Sequence, residues 1–589
     1  MADTYSAPVR DMLFVLETVC DLEGLSRLEG YEHADPDTVR GLLEEARRFV
    51  TDVIAPLNRV GDQQRSRLVD GNVVTPDGFK EAYRSFAAAG WPGAHMPAEW
   101  GGGGLPRAVG IAIQEMVTSA SMAFSLCPLL TQAGIEALVV HGTPEQQDTY
   151  LTKLVTGEWA GTMQLTEPQA GSDVGALTTR AIPQEDGTYR LFGTKIYITW
   201  GDHDMTDNIV HLVLARTPGA TPGTKGISLF LVPKFLVDGD RNDVGVVSLE
   251  HKMGIHASPT CVMSLGDAGG AIGYLIGEEQ QGMRLMFTMM NNARLGVGTE
   301  GVAIAERAYQ QALSFSQERR QGRATGATES SLIIEHPDVR RMLLTQKALI
   351  AAMRALIYYE ASLLDLADRH PDEDVASRSA ERADLFTPIA KAWCTDLGVE
   401  LTSLALQVHG GMGYVEETGV AQHMRDSRIA PIYEGTNGIQ AIDLVGRKLP
   451  MRKGGVIADL LADIDTTVSA LRQAGVASEA EALAAALASV HEATTWLLAR
   501  RPEEPDDALA GATPYLRMLG FTIGGWLLGR EAIALRDRDS GDSGWVDAKL
   551  ATFSFYATQL LPQVTGILPA VVAGATPLFA IEPKYLAGG

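Results

Sequence analysis

The sequence predicts an α+β chain in four parts: a helical N-terminal region, a central antiparallel β region, a helical bundle, and an appended helical region. Three observations predict this. Apolar residues recur at helical spacing toward both ends of the chain. From about 161 to 275 the texture changes to short runs of β-formers separated by Gly, Pro, Asn and Asp. At 589 residues the chain exceeds what one core accommodates and fits about three to four domains. The expected boundaries are 1–160, 161–280, 281–450 and 451–589.

In the first part, LLEEARRFVTDVIAPLNRV places Leu42, Ala46, Phe49, Val50, Val53 and Ile54 on one helical face until Pro56 interrupts it. The glycine run 101–104 is a loop. IAIQEMVTSASMAFSL reads as helix, and Thr143-Pro144-Glu145 opens another with a cap followed by proline in the first turn. In the second part, TYRLFGTKIYITW, NIVHLVLAR, KGISLFLVP and VGVVSLEHK read as strands. In the third, Ile389, Trp393, Leu397, Leu401, Leu404 and Val408 fall at intervals of four and three, and Gly410 and Gly411 end that helix. Four such helices make a bundle. In the fourth, Ile457, Leu460, Leu461, Ile464, Val468 and Leu471 form an amphipathic stripe, while 501–507 and 536–544 are polar connectors. No internal repeat is present.

The net charge of −24 repels a polyphosphate backbone, so nucleic acid is not expected as a partner. Cys20, Cys127, Cys261 and Cys394 show no metal-ligand spacing; buried reduced thiols in a reducing, cytoplasmic setting are expected, and no metal. The N-terminus carries acids within its apolar stretch and lacks a basic leader, so no signal peptide is read. Leu550 to Ile581 has no charged residue, but Pro562, Pro569 and Pro577 punctuate it. Buried helices at a domain or subunit interface are expected there, not an integral membrane span.

Three segments carry chemistry. QLTEPQAGSDVGA (164–176) clusters hydroxyls, Gly and Asp between two strands, a turn able to present backbone N–H groups to a polar ligand. An ordinary hairpin connection has the same composition. KIYITWG (195–201) alternates, which sends Tyr197 and Thr199 to one face. An aromatic beside a hydroxyl suits a flat heteroaromatic ring, and a half-buried strand reads the same way. QVHGGMGY (407–414) lets backbone approach a bulky anion. It shares a region with IYEGTNGIQ, where Pro431 bars helix at Ala430 and Thr436-Asn437 can cap the next helix. Glu434 is therefore expected on a tight loop, its carboxylate positioned by backbone.

In this order, TEPQAGSD, KIYIT, KMG, ERR, QVHGGMGY and IYEGT resemble the acyl-CoA dehydrogenase family through residues about 40–450. The appended region, with ERRQGR (318–323) and EHPDVRRML (335–343), resembles the long subgroup that includes the 3-methylmercaptopropionyl-CoA dehydrogenases. The resemblance implies the acyl-CoA dehydrogenase fold and FAD as cofactor. It implies flavin contacts by Leu165, Thr166, Tyr197, Ile198, Thr199, Gly435 and Thr436, with Ser172 facing phosphate or acyl-CoA. Arg319, Gln407, Gly410 and Gly411 would reach the FAD pyrophosphate of a neighbouring subunit in a homodimer or homotetramer. Met290, Asn291 and Arg294 would contact substrate. Three positions depart from the family: Tyr197 replaces the usual tryptophan, Gly322 a phenylalanine, and Gly438 a common glutamine.

By the same resemblance Glu434 is the base that removes the α-proton of an acyl-CoA thioester. A bound acyl chain that excludes water makes it a stronger base. The thioester oxygen is held by a backbone N–H and a ribityl hydroxyl of FAD. The product is a trans-2-enoyl-CoA, and electron-transfer flavoprotein is the expected acceptor. The resemblance to the long subgroup implies short-to-medium acyl-CoAs or 3-methylthiopropionyl-CoA as substrates, and Met283, Met286, Met289 and Met290 beside Asn291 and Arg294 make a wall able to accept a thioether or an alkyl tail. These methionines at helical spacing also read as core. An acyl-CoA oxidase, which passes electrons to oxygen, is the alternative. A DNA-associated relative of the fold is opposed by the acidic charge.

Overall fold

Strands form where β-formers cluster in the computed structural model, which describes residues 5–536 and 542–587. A hairpin pairs β1 (Arg67–Val69) with β2 (Asn72–Val74). Its turn is Asp70-Gly71, both at positive φ, the geometry that matches the twist of two short strands. The main sheet comprises β3 (Trp159–Gln164), β4 (Arg180–Pro183), β5 (Tyr189–Thr199), β6 (Asn208–Ala215), β7 (Ser228–Pro233), β8 (Val244–Leu249), β9 (Thr260–Leu265) and β10 (Ala271–Ile276). Its order is β3-β6-β7-β10-β5-β9-β8, with β4 pairing β5. Every pair is antiparallel except β3 with β6, which is parallel.

The chain divides into two units. The first holds Leu42–Leu105 and Ile113–Gly296, hence the whole sheet. Helices α1 (Met122–His141) and α2 (Pro144–Val155) pack on β3, burying Leu129, Leu138, Leu151, Leu212 and Leu231 in one core. Helix α2 starts as its sequence predicts. The Thr143 hydroxyl accepts from Gln146 N at 3.2 Å, and Gln146 Oε1 accepts from Thr143 N at 3.0 Å, a reciprocal capping box. A second core, of Leu191, Ile198, Val213, Phe230, Val232, Cys261 and Met263, lies among the strands.

As expected, Pro56 interrupts the helical pattern: the helix Pro36–Phe49 passes into a π turn over Val50–Ile54, Ala55-Pro56 is a turn, and helix resumes at Leu57–Gln64. A wider turn accommodates the ring and the missing N–H. It also rotates the stripe, so Leu43, Ala46, Val50 and Ile54 are buried while Leu42, Phe49 and Val53 are half-buried. The run IAIQEMVTSASMAFSL is two helices rather than one, because Ser121 is extended and its hydroxyl caps α1 by accepting from Phe124 N.

The second unit holds Pro8–Gly41, Pro106–Ala112 and the chain from Val297. Its long helices are the greater part of α3 (Gly282–Glu318), then α4 (Pro337–Arg369) and α5 (Glu373–His409), of which α4 and α5 pack along their lengths. Asp365 on α4 accepts from Arg107 N at 2.6 Å, Ala108 N at 3.0 Å and Tyr31 Oη at 3.0 Å. It thereby satisfies the open N–H groups at the start of helix Arg107–Ala120. Burial pushes its carboxyl up to about 6 against those bonds.

After the short helix α6 (Asn437–Asp443) come α7 (Gly455–Gln473), α8 (Ala477–Arg500), α9 (Ala512–Arg536), α10 (Ser543–Phe555) and α11 (Pro562–Val571). The α7 stripe from Ile457 to Leu471 is buried as expected. Helix α9 packs on α4 and α5, and glycine makes that approach feasible. A Cβ at Gly520 would lie 2.4 Å from the Trp393 ring, and one at Gly524 would lie 2.6 Å from Tyr556 Oη. In the uncharged stretch from Leu550, the residues Phe553, Tyr556, Leu560, Leu561, Val564 and Val571 face inward, while Leu578, Phe579 and Ile581 are exposed. Helices α1 and α8 are long and apolar enough to cross a membrane by length and composition, but 78% of the apolar window of α1 is buried in the protein. All four cysteines are buried and unpaired.

Candidate active site

In the first unit, the chemistry-bearing loop is tied to its neighbouring strand by a buried ion pair that the sequence reading did not single out. Glu167 and Lys195 are both buried, with Nζ to Oε1 at 2.8 Å. The same carboxylate accepts from Thr178 N at 2.7 Å, Thr178 Oγ1 at 2.9 Å, Thr179 N at 3.1 Å, Gln169 Nε2 at 2.7 Å, and the Thr179 hydroxyl. Lys195 Nζ also donates to Leu165 O at 3.0 Å, and Ile196 N donates to Thr166 O at 2.9 Å. Burial works to raise the Glu167 carboxyl, but Lys195 and the hydrogen bonds outweigh it and hold it at about 2. Burial lowers the Lys195 ammonium, and Glu167 offsets part of that. Leu165 and Thr166 are thus fixed against the strand that carries Tyr197, Ile198 and Thr199. A lysine inside the strand FGTKIYIT, and an acid opening the loop, are the signals that could have found this pair.

The predicted regular alternation through Tyr197 does not hold. The register of β5 against β9 shifts between Lys195 and Ile198, and Tyr197 has φ 59°. An extra residue in one strand resets the inward face, so Lys195 and Ile198 are buried, Thr199 is half-buried and Tyr197 is 60% exposed. An aromatic side chain at positive φ costs about 1–3 kcal/mol and persists only where its surroundings impose it. Ser172 is exposed farther along the loop. Gln164, one residue before Leu165, is wholly buried with neither amide atom hydrogen-bonded. An orphaned buried amide beside a hydroxyl-bearing loop and an exposed aromatic fits a flat, polar-edged group such as a flavin.

On α3, Met286 and Met289 join the core of the first unit, and Met283 and Met290 pack at its edge. Asn291 is half-buried, and Arg294 is buried with its guanidinium 5.9 Å from the Phe287 ring centroid. The core reading of these methionines holds for two of the four.

In the second unit, Glu434 lies on the loop that Pro431 and Thr436 define. Glu434 has φ 55° and Gly435 φ 84°. The Thr436 hydroxyl caps α6 by accepting from Ile439 N at 3.2 Å. Both sides of the loop are anchored by buried residues. Lys391 Nζ on α5 donates to Gly435 O and to Asn437 Oδ1, each at 2.8 Å. Asn437 Nδ2 donates to Asp396 Oδ1 at 2.7 Å, and Gln440 Nε2 to Glu434 O at 3.4 Å. On the other side, Tyr433 Oη donates to Glu300 Oε2 on α3. Burial pushes the Glu300 carboxyl up to about 8, although Tyr433 and Lys391 lower it. Asn437 was singled out only with Thr436 as a cap; Lys391 and Glu300 were missed because nothing local in the sequence marks them as partners of this loop.

The remaining predicted residues sit at one corner of the same unit. The Phe315 and His409 rings stack at 4.5 Å, which joins the end of α3 to the end of α5. Arg319 and Gln407 are exposed there, and Gly410 turns the chain at φ 59°. Met412, Tyr414 and Val415 beside them are exposed apolar residues. Gly322 has φ 67°, so the phenylalanine of the family would be strained at that backbone. A Cβ at Gly438 would meet only Thr436 Oγ1, at 3.8 Å, so packing does not require glycine there.

Comparison with known proteins gives a consistent result. Residues 36–158, 162–268 and 280–449 match the models described as "Acyl-CoA dehydrogenase, N-terminal domain", "middle domain" and "C-terminal domain". Residues 460–582 match "Acetyl-CoA dehydrogenase C-terminal like". The chain is 48% identical over 570 residues to the 3-methylmercaptopropionyl-CoA dehydrogenase of Ruegeria pomeroyi, covering 95% of this chain and 96% of that one. It is 35% identical to the broad-specificity linear acyl-CoA dehydrogenase FadE5 of Mycobacterium tuberculosis, covering 95% and 96%. Among solved structures, the acyl-CoA dehydrogenase of Bacillus anthracis complexed with FAD superimposes with a TM-score of 0.74 at 20% identity, covering 93% of this chain and 89% of that one.

Proposed function

The chain belongs to the acyl-CoA dehydrogenase family, and on that premise we propose that it converts an acyl-CoA thioester to the trans-2-enoyl-CoA, with Glu434 as the base. The observation that carries the assignment is the loop of Glu434. A carboxylate at positive φ, with backbone anchored on both sides, is held for a purpose that a solvated surface glutamate does not need.

The α-C–H of a thioester is a weak acid, so removing it needs an oriented base and stabilisation of charge on the thioester oxygen. Glu434 takes the proton at its carboxylate, and a backbone N–H holds the oxygen. FAD is the cofactor of the family, and when bound it supplies a hydride acceptor for the β-carbon. In this reading Leu165, Thr166, Ser172, Tyr197, Ile198, Thr199, Gly435 and Thr436 hold FAD, and Ser172, Met290, Asn291 and Arg294 hold the acyl-CoA. Electron-transfer flavoprotein takes the electrons onward.

Arg319, Gln407, Gly410 and Gly411 serve the FAD of a second copy, which makes the protein a homodimer or homotetramer. The exposed apolar residues around that glycine turn support this. Sedimentation of the flavin-loaded protein tests it: a stable monomer with full flavin content and activity contradicts it.

For substrate, short-to-medium straight acyl-CoAs and the thioether 3-methylthiopropionyl-CoA are both expected to be turned over. The flexible thioether side chains Met283 and Met290 at the core edge suit either tail. The relatives named for a thioether and for linear acyl chains support both. An acyl-CoA panel with a dye acceptor decides; turnover confined to branched, aromatic or dicarboxylic acyl-CoAs refutes the assignment.

A further inference from the structure

We propose that Glu300 is a positioning residue for the base: its buried carboxyl accepts the Tyr433 hydroxyl and so fixes the adjacent Glu434. The inference rests on the reading of Glu434 as the base. Glu300 is wholly buried on α3, and its Oε1 makes no hydrogen bond. A buried carboxyl is costly without a cation against it. The ammonium that acts on it, Lys391, donates instead to Gly435 O and Asn437 Oδ1. Its other oxygen, Oε2, accepts from Tyr433 Oη, 133 residues away in sequence and one residue before Glu434.

Position and charge both matter. Tyr433 and Glu434 share a peptide unit, and the backbone at Glu434 is held at φ 55°. A loop in that conformation relaxes unless both flanks are held. Lys391 and Gln440 hold the C-terminal flank, and the Tyr433–Glu300 bond holds the N-terminal one. Glu300 also feels the like charge of Glu434. Burial and that repulsion raise its carboxyl against the lowering by Tyr433 and Lys391, which favours the neutral form as acceptor of the hydroxyl, without a second negative charge beside the base. A neutral acceptor is a job that an amide can also do.

The test uses the full-length, flavin-loaded protein, with the best acyl-CoA of the panel and a dye acceptor. In Glu300→Ala, kcat is expected to fall about 30- to 100-fold, the effect of a base displaced by a fraction of an ångström to one ångström. KM should stay within about threefold, because substrate binding is not touched. Glu300→Gln should recover most of the lost rate, since its amide oxygen accepts the hydroxyl. Tyr433→Phe should match the Ala variant, and the double variant should be no slower than either single one. The Phe variant removes one hydroxyl and carries the test if Glu300→Ala does not fold. Glu300→Ala at the wild-type kcat, Glu300→Gln as slow as Ala, or losses that multiply in the double variant would each overturn the proposal. Glu434→Gln is measured alongside. If it reduces flavin at the wild-type rate, the base reading itself fails; if it is dead while Glu300→Ala is normal, only the positioning role fails.

Discussion

Glu434→Gln is expected to yield a folded, yellow protein in which flavin bleaching by substrate is slowed by about 10³–10⁴-fold, the upper range for loss of a positioned general base. The amide is nearly isosteric and keeps the backbone demand at φ 55°. The anchors from Lys391, Gln440 and Tyr433 act on backbone or on the neighbouring residue, so they survive the change. What is lost is the ability to take a proton. Substrate binding should be retained, since the thioester oxygen and the CoA moiety are held by other groups. Stopped-flow absorbance of the flavin band, with substrate in excess, reads the step directly. Bleaching within tenfold of wild type would assign the base to another residue.

Lys195→Met is expected to be the most destabilising single substitution in the first unit, by about 3–5 kcal/mol, because it leaves an ionised carboxylate buried without its cation. Glu167 then retains only hydroxyl, amide and N–H donors. The loss should be local in its consequence: Leu165 O loses its donor and the loop through Ser172 loosens from β5. Flavin content should therefore fall before the protein unfolds. The pair also sets an acid limit. Glu167 is held at about 2 against an ordinary value of 4.5, so its contribution is fully present above about pH 4.5 and is lost as pH falls toward 2. Denaturant melts of wild type and variant at neutral pH and at about pH 3, with flavin absorbance per protein as the second readout, test both points. A midpoint shift worth less than about 1 kcal/mol would show that the pair is as weak as an exposed one.

Much of this molecule was readable before any tertiary structure. The α7 stripe from Ile457 to Leu471 is buried as its spacing requires, and Gly410 ends α5 where the helical pattern stops. Thr143 and Thr436 cap the helices that follow them. Each of these depends on residues within about a turn of one another, and side-chain periodicity or a single hydroxyl carries the information. The loop placement of Glu434 was legible for the same reason: Pro431 and Thr436 bracket it.

Other features required the fold. The bulge at Tyr197 replaces strict alternation because β5 must keep both Lys195 and Ile198 inward against β9, a demand that belongs to the pair of strands and not to either one. Pro56 is legible as an interruption of the first helical pattern, but the π turn before it and the helix that resumes at Leu57 are not, because the wider turn is set by how the chain packs around the proline ring.

By itself, the sequence determined the order of helical and β regions, the family, and the short loop on which Glu434 sits, because those rest on local periodicity, capping and ordered motifs. Only the tertiary structure decided what holds that chemistry in place: Lys195 on Glu167 across 28 residues, Lys391 on Gly435 across 44, and Glu300 beneath Tyr433 across 133. A buried polar group must find its partner wherever the chain brings one, and the distance along the sequence does not constrain that choice.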